Sequence, residues 1–205
     1  MSKPYYALIG DAIASRRLPA PARARLQQEL RAALADVNRR WRPALTARFA
    51  ITLGDEFQGL LARPDAVWDI VHHLRARLPD TDWVIACGRG ALATPPPPPP
   101  PRVTAPELDG PCFHEARTAL ERAKDARSVL AFGGFAEPRL AALASYYSAL
   151  YWSWTRRQRR AAHAWRAADD REQGEPSARS HLRRRMAWPL VEAGDMMLRQ
   201  LLAAS

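Results

Sequence analysis

The 205-residue chain reads as an α+β fold, an antiparallel sheet with helices laid on it, followed by a small all-helical region. Three observations predict this. Short apolar or β-branched runs alternate with longer segments whose apolar residues recur every three or four positions. Two of the short runs lie close together with Gly54-Asp55-Glu56 between them, the spacing of a hairpin. From Pro138 onward only helical spacing remains. The expected division is a sheet domain over residues 1–135 and a helical region over 136–205.

Taken in order, Tyr5 to Ile9 is a buried central strand that ends at Gly10-Asp11. Pro19 and Pro21 open a helix of about 20 residues with Leu26, Leu30, Ala33, Leu34 and Val37 on one face. Thr46 to Thr52 and Phe57 to Leu61 are the hairpin strands. Asp65 is placed to cap a helix carrying Val67, Ile70, Val71, Leu74 and Leu78, which stops before Pro79. Trp83 to Cys87 is the next strand. Gly110-Pro111 opens a helix with Phe113, Ala116, Leu120 and Ala123 on one face, and Ser128 to Phe132 is the last strand. This order splits a βαβ unit, as ferredoxin-like palm domains do.

The seven prolines Pro95 to Pro101 fit neither helix nor sheet; as polyproline II they span roughly 20 Å, either as a stiff spacer across one face or as a segment for an aromatic groove. Beyond Pro138, Leu140, Leu143, Tyr147, Leu150, Tyr151 and Trp154 form an aromatic stripe suited to burial on the core or on a second subunit. Thr155 and Gln158 have the spacing of a capping box for a helix through Ala168. After the polar stretch from Asp169 to Pro176, Ser177 is placed to cap a further helix with Leu182 and Met186 inward and Arg179, Arg183 and Arg184 outward.

Composition bounds the function classes. Hydrophobic residues are 47% and charged residues 25%, within the globular range. The net charge of +10 points to polyanionic partners, although an arginine-rich composition by itself gives the same total. The excess is concentrated: residues 155–185 hold ten arginines against Asp169, Asp170, Glu172 and Glu175. Cys87 and Cys112 stand apart in no metal-binding or disulfide spacing, which suits a reducing compartment. No apolar stretch reaches the roughly 20 residues a membrane helix needs, and no export signal opens the chain, so a cytoplasmic protein without membrane association is expected. None of the five histidines has catalytic or metal-site spacing.

Asp11 at a strand end and Asp55 at the hairpin tip are expected to lie on neighbouring strands. Two close carboxylates repel unless a cation sits between them, which is why such pairs hold Mg²⁺ or Mn²⁺ together with phosphates. Strand alternation ranks Glu56 below Asp55 as a further ligand. The plainer alternative is that Asp11 caps a turn and Asp55 is an ordinary Gly-Asp turn residue.

Four segments carry a resemblance. ITLGDEFQGLL at Ile51 to Leu61 resembles the hairpin of diguanylate cyclases and class III nucleotidyl cyclases, and ALIGDAIASR at Ala7 to Arg16 resembles their first metal-bearing strand and turn. DGPCFHEARTALERAK at Asp109 to Lys124 resembles the cyclase helix bearing an alanine-arginine pair; with CGRGAL at Cys87 to Leu92, the set looks most like the SatD family. The resemblance implies a nucleotide-cyclase-type palm in which Asp11 and Asp55 are metal aspartates and Arg117 contacts phosphates in a transition state. It further implies a nucleotide or phosphate ligand near Gly10, Ser15, Arg16, Gly54 and Arg117. Two positions depart from the cyclase pattern: Ile51 replaces a lysine and Phe113 an asparagine. Binding without efficient turnover is therefore the expectation, with an active nucleotidyl cyclase or related phosphoryl-transfer enzyme as the alternative.

SatD relatives carry a C-terminal helix-turn-helix. TRRQRRAAHAWRAA at Thr155 to Ala168 resembles its opening helix and SARSHLRRRMAW at Ser177 to Trp188 its recognition helix, with DDREQGEP too short and polar to supply the helix between. Arg179, Arg183, Arg184 and Arg185 are the candidate DNA contacts, set against a simple solvated basic face. The composite expectation is a regulator, homodimeric, with a metal-nucleotide palm and a DNA-binding tail. A silent dimeric interaction module built on the aromatic stripe is the third reading.

Overall fold

Along strand β1 (Tyr5–Ala12), Tyr6, Leu8 and Ala12 face one way and Tyr5, Ala7, Ile9 and Asp11 the other, the two-residue period of a strand buried on both sides. The computed structural model describes residues 3–93, 102–167 and 176–205; the polyproline run and most of the polar segment after Asp169 lie outside them. β1 is the centre of a five-stranded sheet of order β2-β3-β1-β4-β5, with β2 Leu45–Ile51, β3 Glu56–Leu61, β4 Trp83–Gly90 and β5 Leu130–Gly133. It runs antiparallel to β3 and β4, β2 is antiparallel to β3, and only β5 is parallel to its neighbour. The first four strands thus have the ferredoxin-like arrangement read from the sequence, and a βαβ crossover adds the fifth.

Helices α1 (Ala20–Arg40) and α2 (Val67–Arg77) cover one face. The buried residues of α1 are the five foreseen, Leu26, Leu30, Ala33, Leu34 and Val37, and each large aliphatic one contributes about 1.5–3 kcal/mol by leaving water. Asn38 adds a polar tie, since its amide donates to the Phe49 carbonyl (2.9 Å) and accepts from the Phe49 N–H (2.7 Å) on edge strand β2. Asp65 does not cap α2. Ala66 occupies the cap position, and the Asp65 carboxylate faces Arg63 at 3.4 Å.

Helix α3 (Pro111–Asp125) covers the other face with Cys112, Phe113, Ala116, Ala119, Leu120 and Ala123. It lies unusually close to β4. A Cβ on Gly88 would sit 2.2 Å from the Ala116 nitrogen and the Cys112 oxygen, and one on Gly90 would sit 2.6 Å from the Cys112 nitrogen. Glycine is required there because backbone meets backbone.

The remaining helices return to the α1–α2 face. Helix α4 (Pro138–Ser153) buries Leu140, Ala144, Tyr147 and Tyr151, in keeping with the burial expected of the aromatic stripe. The capping box forms: the Thr155 N–H donates to Gln158 Oε1 (2.8 Å) and the Gln158 N–H to the Thr155 hydroxyl (3.3 Å), opening α5 (Arg156–Ala167). Helix α6 (Pro176–Arg185) includes Ser177 as its second residue rather than its cap. Helix α7 (Trp188–Ala203) lies in the region expected to be helical, where the sequence reading delimits no separate element; its buried stripe of Val191, Leu198 and Leu202 is interrupted by Asp195, which is buried in a fork with Arg166 at 2.6 and 2.9 Å. Leu198 and Leu202 share the same buried cluster as Leu8, Trp68 and Ile85 of the palm. Among the described residues no helix is long and apolar enough to cross a membrane.

Between α2, α4, α5 and α7 lies a layer of arginine and aromatic side chains. Arg75, 2% exposed, donates to the carbonyls of Trp83 (3.0 Å) and Val129 (2.6 Å) and lies over the rings of Tyr147 and Tyr151. His72 and His163 stack with ring centroids 6.0 Å apart, and neither has a hydrogen-bond partner among the described residues. Burial first, and then the charges of Arg75 and Arg166 around both and of Arg199 near His72, hold the two imidazoles well below the ordinary histidine value of 6.5.

Two predictions follow from this packing. Because only the unfolded chain takes up these protons, stability is flat above pH 6.5 and falls as pH drops below it, by about 1.4 kcal/mol per pH unit for each histidine. Thermal melts from pH 7.5 to 5 check this, and His163→Gln reduces the slope. Gly88→Ala drives its methyl into the α3 backbone and costs about 2–4 kcal/mol in denaturant unfolding, at or above the usual range for overpacking because the helix must move as a body.

Candidate functional site

The period that puts Tyr5, Ala7 and Ile9 against α3 carries Asp11 to the same face at the end of β1. Directly opposite in the β1–β3 register stands Glu56, and cross-strand partners share a face. Asp55 precedes β3, in the turn made by Gly54 with φ +63, a left-handed conformation suited to glycine. The expectation that alternation turns Glu56 away is therefore corrected. Asp55 is not part of the strand, and Glu56 is the residue that pairs with Asp11 beneath α3.

These residues line a cleft of about 1040 Å³. Its walls are the loop from Ala14 to Arg17, the first turns of α1 with Arg23 and Gln27, the hairpin tip from Leu53 to Glu56, and the face of α3 bearing Arg117, Glu121 and Lys124. Ala14 opens the loop at φ 60, a conformation that alanine rarely adopts and that concentrates at functional sites. Of the residues foreseen, Asp11, Ser15, Arg16, Gly54, Asp55, Glu56 and Arg117 come together here, Ser15 buried and Arg16 exposed. Gly10 does not. It sits opposite Phe57 on the apolar face, where a Cβ would lie 2.3 Å from the phenyl ring, so its smallness serves packing.

The α3 cations already hold the strand carboxylates. Arg117 grips both oxygens of Glu56, Nη1 to Oε2 at 2.5 Å and Nη2 to Oε1 at 2.6 Å, and the Thr52 hydroxyl donates to Oε1 at 2.8 Å. Lys124 Nζ lies 2.9 Å from Asp11 Oδ2 and 3.2 Å from Glu121. Burial alone pushes the Glu56 carboxyl up, but the Arg117 fork, the Thr52 hydroxyl and the Arg117 charge outweigh it and hold the group below the ordinary value. Arg117 is correspondingly raised by the Glu56 bonds. Burial works against the Lys124 charge, yet contact with Asp11 and Glu121 raises its pKa.

Asp55 differs from the other two. Its Oδ2 is buried without a hydrogen-bond partner, the kind of atom that calls for a ligand. Three carboxylates of hard oxygen donors suit Mg²⁺ or Mn²⁺ in type, and Asp11, Asp55 and Glu56 are the residues that would hold such an ion. As arranged, no group of three His, Cys, Asp or Glu side chains among the described residues converges as a metal cage.

The residues the sequence reading missed are Arg17, Arg23, Gln27, Thr52, Glu121 and Lys124. Part of the signal was present: Arg117, Glu121 and Lys124 stand at i, i+4 and i+7, one face of a helix. Gln27 donates to the Gly54 carbonyl at 3.1 Å and ties α1 to the hairpin tip.

At the far end of the chain, the expected outward face of α6 is only partly so. Arg184 and Arg185 are exposed, but Arg183 is half-buried over the indoles of Trp165 and Trp188 at 5.3 and 5.6 Å.

The sheet order and the charged cleft at the β1 end and β2–β3 tip define a ferredoxin-like palm with an appended helical layer. The chain belongs to the SatD family, whose family model matches residues 5–130. Among solved structures it is similar to a bacterial light-regulated adenylyl cyclase, at 10% identity and a TM-score of 0.40 over 63% of this chain and 74% of that one. No curated protein matches the chain.

Proposed function

We propose that the palm binds a nucleotide or other polyphosphate together with a divalent cation, as the sensing half of a homodimeric regulator. The observation that carries this reading is the pairing, in one cleft, of Asp11, Asp55 and Glu56 with Arg16, Arg17, Arg23, Arg117 and Lys124. Its size is at the top of the roughly 300–1,000 Å³ range of ligand clefts, and its charged walls suit a highly polar anion rather than an apolar ligand. Asp11, Asp55 and Glu56 would hold Mg²⁺ or Mn²⁺, which would offset phosphate charge, while the arginines bind the remaining phosphate charge. Ser15 and the loop around it form the cleft wall beside the phosphates. In an enzyme, the cation would activate a hydroxyl and Arg117 would stabilise charge in phosphoryl transfer. Ile51 and Phe113, where the cyclase pattern has lysine and asparagine, favour binding over turnover.

Thermal unfolding with Mn²⁺ and each nucleoside triphosphate tests this. A ligand at a hundredfold its Kd adds about 2.7 kcal/mol, a rise of about 5–10 °C for a chain of this size. Asp55→Asn is expected to abolish the rise. Absence of any shift with every triphosphate defeats the proposal, and product formation by the wild type alone transfers it to the enzymatic reading.

The exposed Arg184 and Arg185, with Arg179 on the same helix, support a second element, binding of duplex DNA by the tail. Fluorescence anisotropy at 50 and 200 mM salt is expected to show a steep loss of affinity, and Arg184→Gln with Arg185→Gln to reduce the salt slope by about 2. Arg183→Gln mainly costs stability, because that guanidinium packs on two indoles.

A further inference from the structure

We infer that Arg117 and Lys124 are intramolecular counter-ions that keep a divalent cation off Glu56 and Asp11 until a phosphate group arrives to receive them. The inference rests on the metal-phosphate reading above and adds a regulation of that site: cation and phosphate bind cooperatively, and the cation alone binds poorly.

The geometry supplies the reason. Both oxygens of Glu56 are engaged by one guanidinium, and the Asp11 oxygen facing α3 by one ammonium. Of the three carboxylates, Asp55 alone presents a buried oxygen without a partner, and one carboxylate with no phosphate beside it holds Mg²⁺ or Mn²⁺ weakly. A cation approaching Glu56 meets the Arg117 charge at hydrogen-bonding range and must expel it. Expulsion is sterically simple, since the Arg117 side chain is 40% exposed on the cleft side of α3. It is electrostatically unfavourable while the freed guanidinium has only Glu121, 3.9 Å from Nη1 and shared with Lys124, as its nearest alternative. A phosphate supplies the missing anion: Arg117 exchanges the carboxylate fork for a phosphate fork of similar geometry, and Lys124 exchanges Asp11 for another oxygen. Each ligand then makes the other's binding easier by the same factor, as linkage requires. α3 itself does not need to move, because its close seating on Gly88 and Gly90 fixes the helix while the two long side chains swing.

The test is Mn²⁺ affinity in the absence of any phosphate, read from the free-ion electron paramagnetic resonance signal. Arg117→Gln is expected to bind Mn²⁺ about tenfold more tightly than the wild type, and adding Glu56→Gln to remove the gain. Lys124→Gln, which releases Asp11, provides a second variant read in the same way. Inorganic pyrophosphate with Mn²⁺, followed by thermal shift, reports on the underlying site. If the wild type responds to Mn²⁺-pyrophosphate but neither single variant tightens Mn²⁺, the counter-ion inference is overturned and the site reading stands. If no protein responds to Mn²⁺ with or without pyrophosphate, both are overturned.

Discussion

The seating of α3 on β4 is the constraint on which the functional face depends. At Gly88 and Gly90 the helix backbone touches the strand backbone, with no side chain between them. That contact fixes the height of α3 above the sheet. Only at that height do Arg117 and Lys124, one and three turns into the helix from Phe113, reach the carboxylates of β3 and β1 at hydrogen-bonding distance. A helix held farther from the sheet by large side chains would leave Glu56 and Asp11 facing water. The small residues Ala116, Ala119 and Ala123 on the same helix face serve the same approach, so the sequence of α3 encodes both a close packing surface and a charged rim.

The palm was legible in the sequence because its signals are local. The apolar period of α1, the hairpin spacing around Gly54 and the Gly-Pro start of α3 each depend on residues within a few positions of one another, and all three elements formed where their residues placed them. The cleft was legible only in part. Asp11, Asp55 and Arg117 were found by motif, but the register that sets Asp11 against Glu56 is a property of two strands and cannot be counted along one. A single residue decided the outcome: with Asp55 in the turn, alternation begins at Glu56 and the face assignments invert. Lys124 was visible as one of only two lysines in an arginine-rich chain, though nothing local ties it to a strand more than a hundred residues earlier.

Helix α7 shows how tertiary pairing admits a charge to a buried stripe. Its apolar positions have regular helical spacing, and Asp195 falls in the middle of them. In the fold that aspartate is neutralised by Arg166, itself buried and laid over Tyr147, Trp154 and Trp188. A charged residue on an apolar face is tolerable when its partner comes from another helix, which sequence patterning cannot foresee. The same fork joins α5 to α7, and Arg199 with Asp69 joins α7 to α2 at 2.6 Å, so the C-terminal helix is fastened to the palm by ion pairs as well as by Leu198 and Leu202.

This use of arginine changes what the net charge of +10 means. A guanidinium is planar and weakly hydrated, so it can lie on an aromatic ring and leave water at lower cost than an ammonium. In the C-terminal block Arg159 lies over Tyr151 and Trp152, Arg166 over three rings, and Arg183 over two, while Arg156 and Arg160 face Asp80. These charges are part of the packing between helices. The block is basic partly because the helical layer is built from arginine-aromatic stacks, which need the cation whether or not a polyanion ever binds. What this layer offers an anionic partner is set by the few guanidinium groups that reach past the indoles, Arg184 and Arg185 foremost, and not by the formal total.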